Sequence, residues 1–255
     1  MRRGAGRGGA QADAGHARAH AGSWTSAFLL FLYALPFSLA YVSLGVATGA
    51  LILFLSVQAT MLAGALLAGE RIHWLEGLGI VVALAGLVYL VAPGLSAPDP
   101  AGALLMAVAG AAWGVYSLRG RRSTDPIRDT AANFIRSMLF AVVAGTAGAA
   151  FAGVHASGRG LLLAAGSGVI ASAAGYAAWF AALRRLKTLH AAALQLTVPV
   201  IAAAGGIAFL AEPITARLIV AAGLILGGVC FALSGRALRA RTAPGVQKEA
   251  ASVIR

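Results

Sequence analysis

Cysteine is almost absent from this 255-residue chain. Cys230 stands alone inside an apolar run, which excludes a disulfide framework and any metal site built on thiolates. Charge is nearly as scarce. Only 11% of residues are Asp, Glu, Lys or Arg, and the acids number 8. HExxH and CxxC do not occur, GxSxG is missing, and there is no GxxxxGK[ST] phosphate loop. Metalloprotease, serine-hydrolase and ATPase chemistry therefore have no carrier. No enzyme activity, metal or cofactor is expected. No ionisable group sits at mid-depth in a long apolar run, where a central charge costs about 2.5–3.5 kcal/mol. The obvious carrier for a buried proton relay is therefore missing.

What the chain does have is apolar surface. Hydrophobic residues make up 60% of it, and the mean hydropathy is +0.84. Soluble domains run at about 45–50% apolar, so the excess is expected to face lipid. The net charge of +12 does not imply a nucleic-acid partner, because almost every charge falls between apolar runs. The single GRGG at 6–9 is too short to change that. Residues 1–22 hold almost no large apolar side chains and read as a disordered tail. They do not read as a signal peptide, since the apolar run that follows is long and lacks a small-residue cleavage site.

Eight spans are expected, near 26–44, 47–68, 74–93, 101–118, 131–153, 160–183, 190–211 and 214–235. At about 1.5 Å per residue each covers a hydrocarbon core of about 30 Å. They read as helices because they are long, rich in Ala, Leu and Gly, and lack period-2 alternation. With the N-terminus inside, Arg71, Arg119, Arg121, Arg122, Arg128, Arg184, Arg185 and Lys187 join both tails on the cytoplasmic side. Only Arg159 and Arg217 fall opposite, and Arg136 falls within a span. The positive-inside rule then places both termini in the cytoplasm, and the inner (plasma) membrane is the expected location. Residues 236–255 read as a cytoplasmic tail.

The stretch 47–92 is hinged at Gly69-Glu70-Arg71 and has a second copy. A shift of 212 − 70 = 142 positions carries Glu70 onto Glu212. It also carries Ile72 onto Ile214, Gly64 onto Gly206, Gly86 onto Gly228 and Leu44 onto Leu186. Glu70 ends an outward-to-inward helix and Glu212 an inward-to-outward one, so the copies are inverted across the membrane. Inverted repeats are typical of transporters, with a solute site where they meet.

The stretches LYALPFSLAYVSLGVATGALILFLSVQATML and GERIHWLEGLGIVVALAGLVYLV carry Gly69-Glu70 at a helix end. GYAAWFAALRRLKTLHAAALQLTVPVIAAAGGIAFLAEPIT carries Ala211-Glu212-Pro213. Over about residues 25–235 the chain resembles EamA-type members of the drug/metabolite transporter superfamily. The resemblance implies an all-α polytopic membrane fold of two inverted five-helix repeats. Here the register gives three plus five: a partial first repeat at 25–93 and a second at 101–235, with the family's first two helices missing. The implied function is gradient-driven export of small organic metabolites or drugs by alternating access. A truncated, non-transporting membrane subunit or remnant is the alternative.

The solute site is expected in a central cavity lined by Gln58, Trp113, Tyr116, Tyr176, Trp179 and Gln195. An amide within a span must bind solute or hydrogen-bond a neighbouring helix. The four aromatics are either an interfacial belt or a lining that stacks on an amphipathic, neutral or zwitterionic solute. With the first helices missing, such a cavity would be open laterally, to be closed by lipid or by a second copy in a homodimer. Glu70 and Glu212 either gate the path or cap the helix that follows each. Arg136 either snorkels to the interface or faces an anionic solute. Thr197 and Pro199 mark a kink in mid-span, and Gly110/Gly114 and Gly223/Gly227 mark close helix approaches.

Overall fold

A backbone in lipid has no water to bond, so apolar runs of this length must close their hydrogen bonds within helices. The computed structural model describes residues 22–94, 97–152, 157–211 and 213–242, and the described residues are helical throughout, with no strand. Glu212, residues 1–21 and those from 243 on lie outside the described residues. The helices are α1 (Trp24–Ser43), α2 (Val46–Leu67), α3 (Trp74–Val91), α4 (Pro100–Gly120) and α5 (Pro126–Ala152). They continue with α6 (Gly158–Gly166), α7 (Ala173–Leu183), α8 (Thr188–Gln195), α9 (Val198–Leu210) and α10 (Ala216–Thr242).

Among the described residues, seven segments are long and apolar enough to cross a membrane: α1 to α5, the α8–α9 segment Thr188–Phe209, and Ala216–Ser234 of α10. The eighth expected span, 160–183, is not one helix. Its run is divided between α6, a π-helical stretch at Ser167–Ser172, and α7. The sequence Gly166-Ser167-Gly168 offers the helix little at that point, since glycine costs about 1 kcal/mol against alanine in a helix interior. Large apolar side chains point outward: Leu67 is 90% exposed and Phe209 89%. Along α5, Ile135, Met138, Leu139, Val142 and Val143 are all exposed. A water-soluble chain would not leave such a surface uncovered. This is a multi-pass α-helical membrane protein.

The described chain forms two compact units. One draws on the described residues up to Ser38 and on those of Ala112–Arg185, the other on those of Leu39–Ala111 and on those from Leu186 onward. The second unit is built on the crossing of α3 with α10. A Cβ placed on Gly79 would lie 2.5 Å from both Ala232 N and Gly228 O, and one on Gly228 would lie 2.6 Å from Ala83 N and Gly79 O. Glycine is what lets these backbones touch. Ala83, Leu87, Leu196, Ile225 and Val229 pack into a core around that contact. Gly110 makes a similar approach to Ser56 and Leu53 of α2. Gly223 and Gly227, expected to do the same, have nothing within 4 Å, so the close approach belongs to Gly228 instead.

The hinge at 69–71 is a helix stop with defined chemistry. Gly69 adopts φ +74, Glu70 N–H bonds Ala65 O at 2.9 Å and Gly69 N–H bonds Leu66 O at 2.9 Å. This is the two-bond αL termination that favours glycine. The next helix, α3, is capped locally: His73 Nδ1 accepts from Leu75 N–H, and His73 N–H donates to Glu76 Oε2 at 2.9 Å. Glu70 therefore does not cap the helix that follows it.

Candidate functional site

In the first unit three of the four predicted aromatics, Trp113, Tyr116 and Tyr176, meet ring to ring. Trp113 and Tyr116, three residues apart, lie on one face of α4, and Tyr176 lies on α7. Trp113 and Tyr176 stand edge-to-face at 5.1 Å between centroids, and Trp113 also packs Tyr33 of α1 at 5.1 Å. Phe134 of α5 meets Tyr176 edge-on at 5.1 Å, and Phe180 meets Tyr116 edge-on at 5.2 Å. Trp179 ties α7 to α4 by donating Nε1–H to Ser117 Oγ at 3.3 Å. Tyr116 is 2% exposed and so is not part of a lipid-facing belt. Sequence reasoning missed Tyr33, Phe134 and Phe180. Only the four-residue spacing of Tyr176 and Phe180 could have signalled one of them.

A cavity of about 460 Å³ opens beside this cluster, within the same unit. Tyr116 and Phe180 form its apolar wall, and Arg119, Arg122, Asp129 and Asn133 supply polar groups. Several of these are held in place. Arg119 donates from Nε to Ser26 Oγ at 3.2 Å and from a terminal nitrogen to Ser23 Oγ at 3.4 Å. Asp129 accepts from Gly22 N–H at 2.8 Å and from Ser123 O–H at 2.6 Å. Asn133 accepts from Ser23 N–H at 2.8 Å and donates to Tyr116 Oη at 3.4 Å. The cavity thus has fixed positive charge, a fixed carboxylate and an aromatic wall, a lining suited to small amphipathic molecules. Arg136 lies outside it, its guanidinium 5.8 Å from the centre of the Trp24 ring. The cation–π contact suits an interfacial anchor.

In the second unit the two predicted amides lie on the seam between α2 and α8. Gln58 Nε2 donates to Ala192 O at 2.6 Å, and Gln195 Nε2 lies 3.4 Å from Met61 Sδ. Both side chains are buried. The neighbouring-helix reading of these amides therefore has its bonds in place. Glu70 binds the same helix: its Oε1 accepts from Thr188 N–H at 3.1 Å and Thr188 O–H at 2.6 Å, and its Oε2 accepts from Leu189 N–H at 3.4 Å. The carboxylate does cap a helix, but one that begins 118 residues away. Beyond Gln195 the span breaks, as Thr197 and Pro199 suggested. Leu196 and Thr197 fold back in short turns before α9 begins at Val198.

Sequence reasoning also missed a buried ionisable pair in the second unit. His190 Nε2 lies 3.4 Å from Glu76 Oε1, each side chain 6% exposed. Each residue sits in the first turn of its helix, where an isolated charge reads as an ordinary capping residue. Among the described residues no group of three His, Cys, Asp or Glu side chains is placed to hold a metal ion.

Residues 100–234 match the model of the EamA-like transporter family. An uncharacterized protein of Pseudomonas aeruginosa is 46% identical over 220 residues, which cover 86% of this chain and 76% of that one. An uncharacterized transporter of Archaeoglobus fulgidus is 25% identical over 201 residues, 77% of this chain and 70% of the relative. A solved crystal structure, 24% identical, superposes with a TM-score of 0.71 over 84% of this chain and 76% of the other. The family match spans more than half of the sequence and includes the helix-break and hinge-partner residues described above. The chain belongs to the EamA-like transporter family, whose members are membrane transporters rather than enzymes.

Proposed function

We infer that this protein exports small organic metabolites or drugs across the cell inner membrane, driven by a gradient and working by alternating access. The observation that carries the reading is an aromatic-walled cavity in a chain of transporter family and membrane-spanning build. Of the four predicted aromatics Tyr116 lines that cavity, and the solute path is extended here to the rings of Trp113, Tyr176 and Trp179 behind it, which suits an amphipathic, neutral or zwitterionic solute. Gln58 and Gln195 hold the seam between α2 and α8 on which the second unit's broken span rests.

An inverted repeat of eight spans underlies the reading, and four features support it. Helix α8 starts 188 − 46 = 142 residues after α2, and α10 starts 216 − 74 = 142 after α3. The left-handed φ of +74 at Gly69 recurs as +54 at Ala211, again 211 − 69 = 142 positions on. A positive φ is rare outside glycine, so the recurrence is hard to obtain by composition alone. Finally, Gly86 meets Ile225 and Gly228 meets Ala83. Under the 142-residue shift these two contacts exchange, as contacts across a two-fold axis do.

The orientation keeps both termini cytoplasmic. Reporter fusions after Arg122 and Lys187 should read cytoplasmic, and fusions at Pro98 and Ser157 external. An external signal at Arg122 would overturn it. For the solute site, Trp179→Ala and Tyr176→Ala should each lower export in whole cells at least tenfold at unchanged membrane abundance. Such a loss equals about 1.4 kcal/mol of transition-state stabilisation. Wild-type export by both variants would remove these residues from the solute path.

A further inference from the structure

Glu76 and His190 are the second unit's buried titratable pair, and nothing in the proposed solute path uses them. The two side chains are each 6% exposed, with Nε2 and Oε1 3.4 Å apart. Their relative orientation does not complete a hydrogen bond, and His190 Nε2 is a buried polar atom with no hydrogen-bond partner among the described residues. An orphaned buried nitrogen aimed at a carboxylate requires a reason. The same two helices feed an apolar cluster: Ile80, one turn on from Glu76, and Leu189 and Ala193, beside and one turn on from His190, are buried with Ala232, and Leu62 and Leu84 pack against them.

We propose that Glu76 and His190 form a proton-binding site through which a transmembrane pH gradient drives transport. Burial makes the pair act as a unit. A carboxylate left without its imidazolium, or the reverse, would be an uncompensated charge in a low-dielectric site. Taking up one proton therefore brings Nε2 and Oε1 together, and losing it releases them. The pair is also wired to the helix that breaks. His190 lies in α8, whose first N–H groups are held by Glu70 and whose later turns are tied to α2 by Gln58 and Gln195. All of Thr188 to Ala193 is buried. A change in the pair is thus delivered to a short, enclosed half-helix ending at Leu196, the kind of discontinuous span that carries coupling ions in transporters.

The other groups around the pair do not replace it. From the hinge come Glu70, engaged at Thr188, and His73, whose Nδ1 caps α3; Arg71 is exposed. Lys187 precedes α8. From α2 the neighbouring apolar cluster takes Leu62, and from α10 it takes Ala232. His73 is the one other imidazole of this region, so His73→Gln serves as the control.

The proposal rests on the transport reading but is tested separately from it. In the full chain in lipid nanodiscs, imidazole nitrogen NMR follows His190 across pH 4–9. The pH response of its signal should change when Glu76 is replaced by Gln. The side-chain amide signals of Gln58 and Gln195 should respond over the same pH range, and should stop responding in His190→Gln. A titration of His190 indifferent to E76Q, or Gln signals indifferent to pH, overturns the proton site whether or not the protein transports. In proteoliposomes, uptake of radiolabelled L-phenylalanine as an amphipathic zwitterionic probe is measured with and without an imposed pH gradient. Gradient-driven accumulation in wild type and His73→Gln that is lost in E76Q and H190Q, with downhill exchange retained, supports coupling. Accumulation that persists in those variants overturns it while leaving the transport reading intact. Uptake no faster than in empty liposomes counts against the transport reading for this class of solute, and the NMR titration then decides the proton site alone.

Discussion

Gly79→Val and Gly228→Val are each expected to abolish folded protein in the membrane. The reason is the identity of what a new side chain would meet. At Gly79 the nearest atoms are Ala232 N, Gly228 O and Ala232 Cα, at 2.5, 2.5 and 2.9 Å from the first added carbon. At Gly228 they are Ala83 N, Gly79 O and Ala83 Cβ. These are mostly backbone atoms in the middle of helices, with no rotamer to change. Relief requires α3 and α10 to separate, which loosens the core of Leu87, Leu196 and Ile225 around their crossing. Overpacking a core costs about 1–3 kcal/mol, and a backbone-on-backbone clash falls at or above the top of that range. Membranes offer no hydrophobic force to hold displaced helices together, so the lost contact is not replaced. Gly223→Val is the matched control, because nothing lies within 4 Å of its added carbon. Fluorescence-detected size exclusion of the three variants checks this. Monodisperse Gly79→Val at wild-type abundance would mean that the crossing is not as close as described.

Glu70→Ala should be the most damaging substitution of a charged residue. It strips the acceptors from Thr188 N–H, Thr188 O–H and Leu189 N–H together. Thr188 is 1% exposed and Leu189 3%, so water does not reach those donors freely. Leaving a buried donor without its acceptor costs about 1–3 kcal/mol, and the loss of negative charge at a helix N-terminus adds about 0.3–1 kcal/mol. A total of about 3 kcal/mol is expected for the alanine variant. Glu70→Gln keeps one carbonyl acceptor and should lose roughly half as much. Thermal unfolding in detergent should therefore rank wild type above Gln above Ala. If Ala unfolds with the wild type, the hinge does not hold α8.

The parts of this protein that sequence could announce are those governed by local chemistry. The spans follow from length and apolarity, and the stop at Gly69 follows from the residue that tolerates a left-handed φ. The break at 196–197 was readable because Pro199 lacks a donor. What sequence could not announce depends on which distant segments meet. Glu70 reads as a cap for the helix beside it, yet its partner is Thr188. Glu76 and His190 each read as a first-turn residue, yet they share a buried site 190 − 76 = 114 residues apart in the chain. The glycine pair spaced by four, Gly223 and Gly227, faces open space, while Gly228 makes the contact. Helical periodicity places both faces equally well, and only the packing of α3 decides which one is used. The span at 160–183 passed every compositional test, but small residues at 166–168 let the helix widen into a π-helical stretch there.

The central claim is that this chain moves small amphipathic solutes across a bilayer. The direct measurement is exchange of a panel of radiolabelled neutral and zwitterionic amphipathic solutes into proteoliposomes holding the purified full-length chain. Saturable uptake of at least one of them is predicted, with Tyr176→Ala and Trp179→Ala slower and Gly223→Val unchanged. Uptake of every solute at the rate of protein-free liposomes, by protein that is folded and inserted, would contradict it.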